Sequence, residues 1–138
     1  MSPSAGYSGT PLAKKLGIKD GMRWAALNAP AGYETWLAGL PSTATIVGRL
    51  TAPATAVHVF ATKRSALART LKTLRKQLQP DGFVWVSWPK RASGVPTDIT
   101  EDVIREVALP LGFVDVKVCA VTETWSGLKL TIRRSERK

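Results

Sequence analysis

The sequence predicts a three-layer α/β domain, with a mostly parallel sheet between two layers of helix and an antiparallel hairpin at its C-terminal edge. Three observations predict it. Ala56-Val57-His58-Val59-Phe60-Ala61 and Phe83-Val84-Trp85-Val86-Ser87-Trp88 are apolar at nearly every position, as strands covered on both faces must be. Between them Leu67, Leu71, Leu74 and Leu78 recur at spacings of four, three and four, which is one face of an amphipathic helix. Residues 113–121 and 127–134 then alternate apolar with polar across a polar turn, the pattern of an antiparallel pair.

Taken in chain order, Tyr7-Ser8-Gly9 reads as a turn, and Thr10-Pro11 as an N-cap with proline at the first helical position. A short helix over residues 12–16 stops at Gly17. Residues 22–28 are apolar around Trp24, Ala25, Ala26 and Leu27 and predict a buried first strand, broken by Asn28-Ala29-Pro30-Ala31-Gly32. Tyr33, Trp36, Leu37 and Leu40 stand at helical spacing before Pro41, which predicts a second short helix. Residues 43–50 fit strand or helix equally. After the leucine-rich helix, Asp81-Gly82 predicts a turn into the Trp85 strand. Ile99, Val103, Val107 and Leu111 mark a further helix, with Asp98 or Thr100 as its cap and Glu101 paired to Arg105. Pro110 and Gly112 end it.

A chain of 138 residues forms one domain that buries about two-thirds of its unfolded surface. Its longest apolar run falls well short of the roughly 20 residues that cross a bilayer, so membrane insertion is not expected. The single Cys119 and the absence of an apolar signal segment favour the cytoplasm. No zinc spacing, P-loop or Gly-x-Ser-x-Gly occurs, and no metal is expected. The net charge is +10, and it is uneven. Residues 1–80 hold eleven lysines and arginines against only Asp20 and Glu34, and residues 35–80 contain no acid. Such a surface draws anions: phosphorylated metabolites, acidic lipid head groups, an acidic protein or nucleic acid.

Four segments, YSGTPLAKKLGI, HVFATKR, WVSWPKRASG and DVKVCAVTETWSGLKL, together spanning most of the chain, resemble a family of small bacterial proteins catalogued as a domain of unknown function. That resemblance implies a bacterial cytoplasmic setting and no particular activity. The order of elements from His58 onward is similar to the later half of class I methyltransferases that use S-adenosylmethionine, a Rossmann-like fold. This second resemblance implies S-adenosylmethionine as cofactor, held by a glycine-rich loop after the first strand and an acid at the end of the second. Here the loop Asn28-Ala29-Pro30-Ala31-Gly32-Tyr33 has one glycine and a proline that lacks an amide donor, and no acid lies between Thr35 and Pro80. The cofactor motif is degenerate.

The residues themselves direct attention to the loop after the Trp85 strand, because open α/β sheets place ligands at the C-terminal ends of their strands. Lys90, Arg91, Ser93, Gly94 and Thr97 combine two charges, two hydroxyls and a flexible backbone, a set that suits a phosphate or carboxylate. The leading reading is a non-catalytic Rossmann-like protein that binds an anionic ligand or partner there, with Trp88 and Trp125 flanking it. The alternative is a methyltransferase-like enzyme with Asn28, Ala29 and Gly32 near S-adenosylmethionine and Trp88 or Trp125 near the substrate. A third is non-specific nucleic-acid binding through Lys63, Arg64, Arg69, Lys72, Arg75 and Lys76, which have no acidic partner along their helix. His58, with no second histidine or acid close in sequence, reads as a satisfied core side chain, and Cys119 as a buried small hydrophobe.

Overall fold

The computed structural model describes residues 10–137. The turn expected at Tyr7-Ser8-Gly9 lies outside them. Six strands form one sheet in the order β2-β1-β3-β4-β6-β5: β1 Arg23–Leu27, β2 Thr45–Val47, β3 Ala54–Phe60, β4 Leu78–Pro89, β5 Phe113–Ala120 and β6 Trp125–Ile132. The first four run parallel, and β6 and β5 return antiparallel against β4, as the alternating C-terminal segments predict. Helix α1 (Leu12–Leu16) covers one face, and α2 (Arg64–Gln77) and α3 (Glu101–Ala108) cover the other. Among the described residues no helix is long and apolar enough to cross a membrane.

The twofold alternation of strand side chains divides the core into two layers. Trp24, Ala56, Phe60 and Trp85 face α1, while Ala25, Val57, Val59, Val84 and Val86 face α2. Leu67, Leu71 and Leu74 of α2 are at most 1% exposed, each contributing about 1.5–3 kcal/mol by burial. Arg105 fastens α3 to the sheet edge: it pairs with Glu101, as its spacing predicts, with Asp102 at 3.2 Å and with Asp115 of β5 at 2.9 Å. The guanidinium holds the Asp115 carboxyl below its usual range.

Three sequence expectations are corrected, and the choice of cap for α3 falls to one of its two candidates. Residues 33–40 form only a 3-10 turn at Tyr33–Trp36, because Gly39 turns left-handed (φ 83°) and the chain docks on α1 through Ala13 N–H to the Ala38 carbonyl. Asp81-Gly82 is no turn but part of β4, whose register against β3 slips between Ala54 and Ala56 to absorb the extra residues. Pro11 is itself the N-cap of α1, which starts at Leu12. Thr100 alone caps α3, accepting from Val103 N–H at 3.2 Å, whereas Asp98 accepts from Arg64 N–H at 2.6 Å and caps α2 instead. The ambiguous residues 43–50 yield the three-residue β2.

A polar chain runs through the α1-side core. Trp24 Nε1–H donates to Tyr33 Oη at 2.8 Å, Tyr33 Oη lies 2.7 Å from His58 Nδ1, and His58 Nε2 lies 2.7 Å from Ser87 Oγ. Indole N–H only donates, which leaves the Tyr33 hydrogen for Nδ1 and places the imidazole proton on Nε2, facing Ser87. His58 and Ser87 are fully buried, and burial lowers the His58 pKa to about 3, so the ring is neutral. Trp85 adds a further tie, its Nε1–H donating to the Leu16 carbonyl at the end of α1, 2.8 Å away.

Replacing Tyr33 by Phe strands both the Trp24 donor and the His58 acceptor, and is expected to lower stability by about 2–4 kcal/mol in urea denaturation. Because the folded protein holds His58 neutral while the unfolded chain protonates it near pH 6.5, stability rises with pH between about 3 and 6.5 and is then flat in this group's contribution. Each pH unit inside that window is worth about 1.4 kcal/mol. Denaturation midpoints of His58→Gln measured across it are expected to show a correspondingly shallower acid limb, with the Asp115 contribution remaining.

Candidate functional site

After β1 the chain turns outward to β2, and after β3 it turns the other way through α2 to β4, so the C-terminal ends of β1 and β3 open a crevice where the topology reverses. Two hollows occupy this end of the sheet, on either side of the loop 28–32. One of about 300 Å³ is lined by Asn28, Phe60, Thr62, Lys63, Thr70 and Trp125 among others. The second, of about 280 Å³, is lined by Ala29, Gly32, Tyr33, Glu34, Ile46 and Val47 with their neighbours. Tyr33 and Phe60 stand edge to face between them, ring centroids 5.5 Å apart.

The loop between the hollows has a conformation its composition conceals. Asn28 (φ 58°) and Gly32 (φ 82°) both adopt the left-handed region, so a loop with one glycine makes two glycine-type turns. Asparagine is among the few side chains that tolerate this conformation. Glu34 is the second feature that sequence reading missed. It belongs to the 3-10 turn Tyr33–Trp36, yet that turn carries it to the end of β2, the place where the acid-free stretch 35–80 leaves no carboxylate. The available signal was its rarity, since Asp20 is the only other acid in the first 80 residues.

Trp125 opens β6 instead of lying in a turn, and its ring meets Phe60 edge-on at 5.0 Å, in the same hollow as Asn28. Trp88 is only 8% exposed and belongs to the α2-side core, so it is separated from Trp125 and Asn28. It borders a third hollow of about 380 Å³ with Arg91, Gly94, Thr97, Thr100 and Glu101. Lys90 and Ser93 do not line that hollow. Ser93 Oγ–H donates to the Lys90 carbonyl at 2.6 Å, Lys90 N–H donates to the Thr124 carbonyl at 2.7 Å, and Thr97 Oγ1–H donates to the Thr62 carbonyl at 2.7 Å. Both hydroxyls of the loop are thus spent in fastening it. Neither Lys90 nor Arg91 has a carboxylate within ion-pair distance among the described residues; Glu101 and Asp102 turn to Arg105.

Lys63, the N-cap of α2, faces the 300 Å³ hollow, and Arg69 on the helix borders a hollow against Leu27 and Leu50. The expectation that these cations lack acidic partners holds along the helix but not across the fold: Arg64 pairs with Glu106 at 2.9 Å and Arg75 with Glu136 at 3.0 Å. Lys72 and Lys76 are exposed. His58 is fully buried and Tyr33 nearly so, and burial raises the Tyr33 phenol far above its ordinary value, so both act as structure and not as acid or base. Cys119 is half-buried in β5, where burial raises its pKa and keeps it a thiol at neutral pH.

No protein-family model matches the chain, and no curated protein matches it significantly. Solved structures do. A SAM-dependent methyltransferase from Aquifex aeolicus superposes with a TM-score of 0.63 at 13% identity, covering 86% of each chain. The ribosomal protein L11 methylase from Lactobacillus delbrueckii subsp. bulgaricus gives 0.57 at 11% identity, covering 88% of this chain and 75% of the other. The Methanococcus jannaschii fibrillarin pre-rRNA processing protein gives 0.56 at 12% identity, with 93% and 71% covered. At such identities the likeness is one of fold: the chain has the mostly parallel, Rossmann-like sheet with a terminal antiparallel hairpin that SAM-dependent methyltransferases have.

Proposed function

We propose that the protein binds S-adenosylmethionine across the two hollows beside the loop 28–32 and works as a methyltransferase-like enzyme. The observation that carries this reading is the pair of left-handed turns at Asn28 and Gly32, which gives a one-glycine loop the shape of a two-glycine one at the crevice between β1 and β3. The surrounding side chains fit the ligand's two ends. Glu34 beside Ile46 and Val47 offers a carboxylate for ribose hydroxyls and an apolar wall for a base. Lys63 and Thr62 at the entry to α2 offer a charge and a hydroxyl to a carboxylate. Each hollow is near the lower bound of about 300 Å³ for small-molecule sites, so a ligand of two parts suits two adjoining hollows.

When bound, S-adenosylmethionine supplies an electrophilic methyl group. Among the described residues the Trp125 hollow is lined by no carboxylate, imidazole or thiol. With no carboxylate, imidazole or thiol there to take a proton, the hollow suits an acceptor that presents its own free lone pair. Trp125 offers such an acceptor a flat apolar wall.

Isothermal titration with S-adenosylmethionine and S-adenosylhomocysteine is expected to give one site per chain. Glu34→Ala is expected to weaken it by about tenfold or more, the loss of hydrogen bonds to a charged group. Asn28→Gly is expected to preserve binding and stability, whereas Asn28→Val loses about 1–2 kcal/mol of stability at a left-handed position. No heat with either ligand at millimolar concentration would overturn the reading.

A second reading rests on Arg91, exposed and, among the described residues, without an ion pair at the rim of the 380 Å³ hollow. We infer that a carboxylate or phosphate docks there on a non-catalytic partner or metabolite, with Trp88, Gly94 and Thr97 as neighbours and Lys90 adding long-range charge. Quenching of tryptophan fluorescence by pyrophosphate, abolished in Arg91→Ala, is the expected result; an unchanged titration in that variant would remove this site.

A further inference from the structure

An unneutralised concentration of charge lies away from every hollow described above, on the face of the sheet that carries α1. Lys117 of β5 and Lys129 of β6 are direct cross-strand partners, so their side chains leave the sheet on the same side with Cβ atoms about 4.5–5.5 Å apart. That side is the α1 side, because Lys129 Nζ lies 4.4 Å over the ring of Phe83, which packs against Trp24 in the α1 layer. Two more lysines reach the same place from α1 and the loop after it. Lys15 Nζ approaches the Ala120 carbonyl at the end of β5, at 3.5 Å, and Lys19 follows two residues after Gly17, where an added Cβ would lie 3.7 Å from the Phe83 ring.

Among the described residues none of these four ammonium groups has a carboxylate within 4.0 Å, although Arg64, Arg75, Arg105 and Arg133 all do. Of the acids closest in sequence, Asp20 accepts a hydrogen bond from Thr43 Oγ1–H at 2.9 Å and Asp115 pairs with Arg105 at 2.9 Å. The mutual repulsion is large enough that Lys117 and Lys19 each help to lower the Lys129 pKa, after burial. Like charges placed directly opposite in a sheet cost stability. An anion with several charged groups, lying across all four, reverses the sign of that interaction.

We propose that the α1 face of the hairpin, built from Lys15, Lys19, Lys117 and Lys129, binds a chain of phosphates. Ammonium groups are compact point charges that suit tetrahedral phosphate oxygens, and the site contains no guanidinium fork for a single planar carboxylate. Among the described residues it also offers no platform on which bases stack: Trp24 and Trp85 are fully buried and the Phe83 ring is covered by Lys129. Recognition is therefore of backbone and not of sequence, and its ligand is either inorganic polyphosphate or the sugar-phosphate backbone of a nucleic acid. This surface faces away from α2, so it is distinct from the cationic helix singled out in the sequence.

The test is fluorescence anisotropy of a labelled 20-base-pair DNA duplex, and competition by inorganic polyphosphate, over a series of salt concentrations. The expected result is salt-dependent binding whose log–log slope falls by about two in Lys117→Gln/Lys129→Gln, one counterion per lost phosphate contact. The melting temperature of that variant is expected to stay or rise as repulsion is relieved, and Lys15→Gln/Lys19→Gln, which leaves the hairpin untouched, is expected to lose affinity likewise. Lys72→Gln/Lys76→Gln on α2 is expected to bind as the unaltered protein does. Direct duplex binding identifies the nucleic-acid backbone as the source of phosphate; binding of labelled polyphosphate without duplex binding identifies the free polymer. Failure to bind either polymer at low salt overturns the proposal, as does loss of binding in the α2 variant with none in the hairpin variant. Capture by phosphatidylserine vesicles with neither polymer bound overturns it too. Since none of the four lysines lines the hollows beside the loop 28–32, failure here leaves the reading of that crevice untouched.

Discussion

The buried chain from Trp24 through Tyr33 and His58 to Ser87 is the constraint on which the rest of the structure rests. Its members come from β1, the turn after β1, β3 and β4, and each places a polar atom in an otherwise apolar layer. A buried polar atom left unpaired costs its full desolvation, so these four positions must be satisfied together or not at all. The consequence reaches the surface. Tyr33 is held at its hydroxyl by Trp24 and His58 and at its ring by Trp36 and Phe60, which fixes the turn that carries Glu34 and thereby one wall of the crevice.

The outer half of the sheet is lightly built by comparison. The connection from β2 to β3 contains no helix, so Leu27, Val47 and Leu50 are only partly covered on the α2 side. On the other flank the loop 90–98 is clasped to the β3–α2 connection by Asp98 on Arg64 N–H, and by Thr97 and Asp98 N–H on the Thr62 carbonyl. The crevice thus lies between a wall fixed by core polar contacts and a rim fixed by loop contacts. That arrangement keeps the strand ends open without a lid element in the described residues.

Much of the fold was legible in the sequence. The leucine spacing of α2, the apolar runs of β3 and β4 and the alternation of β5 and β6 are local patterns, and each forms as read because burial on the sheet agrees with its periodicity. What escaped were pairings between distant residues. Asp98 stands two residues before the cap of α3 and reads as part of it, yet its partner is Arg64, 34 residues earlier. His58 has no local orienter because Tyr33 and Ser87 lie 25 and 29 residues away. In the candidate site, the loop after β1 reads as degenerate only if glycine is the sole residue counted, since backbone angle and not residue name decides the turn at Asn28. The lysine cluster was hidden for the same reason, being assembled from both ends of the chain.

The proposed ligand site is the crevice beside the loop 28–32. It is tested most directly by amide chemical-shift changes in the ¹⁵N-labelled protein on addition of S-adenosylhomocysteine. Shifts are expected to concentrate at Asn28, Ala29, Gly32 and Glu34, at the end of β2 near Val47, and at Ala61, Thr62 and Lys63. A spectrum that does not move, or one that moves only around Arg91, Gly94 and Thr97, would contradict it.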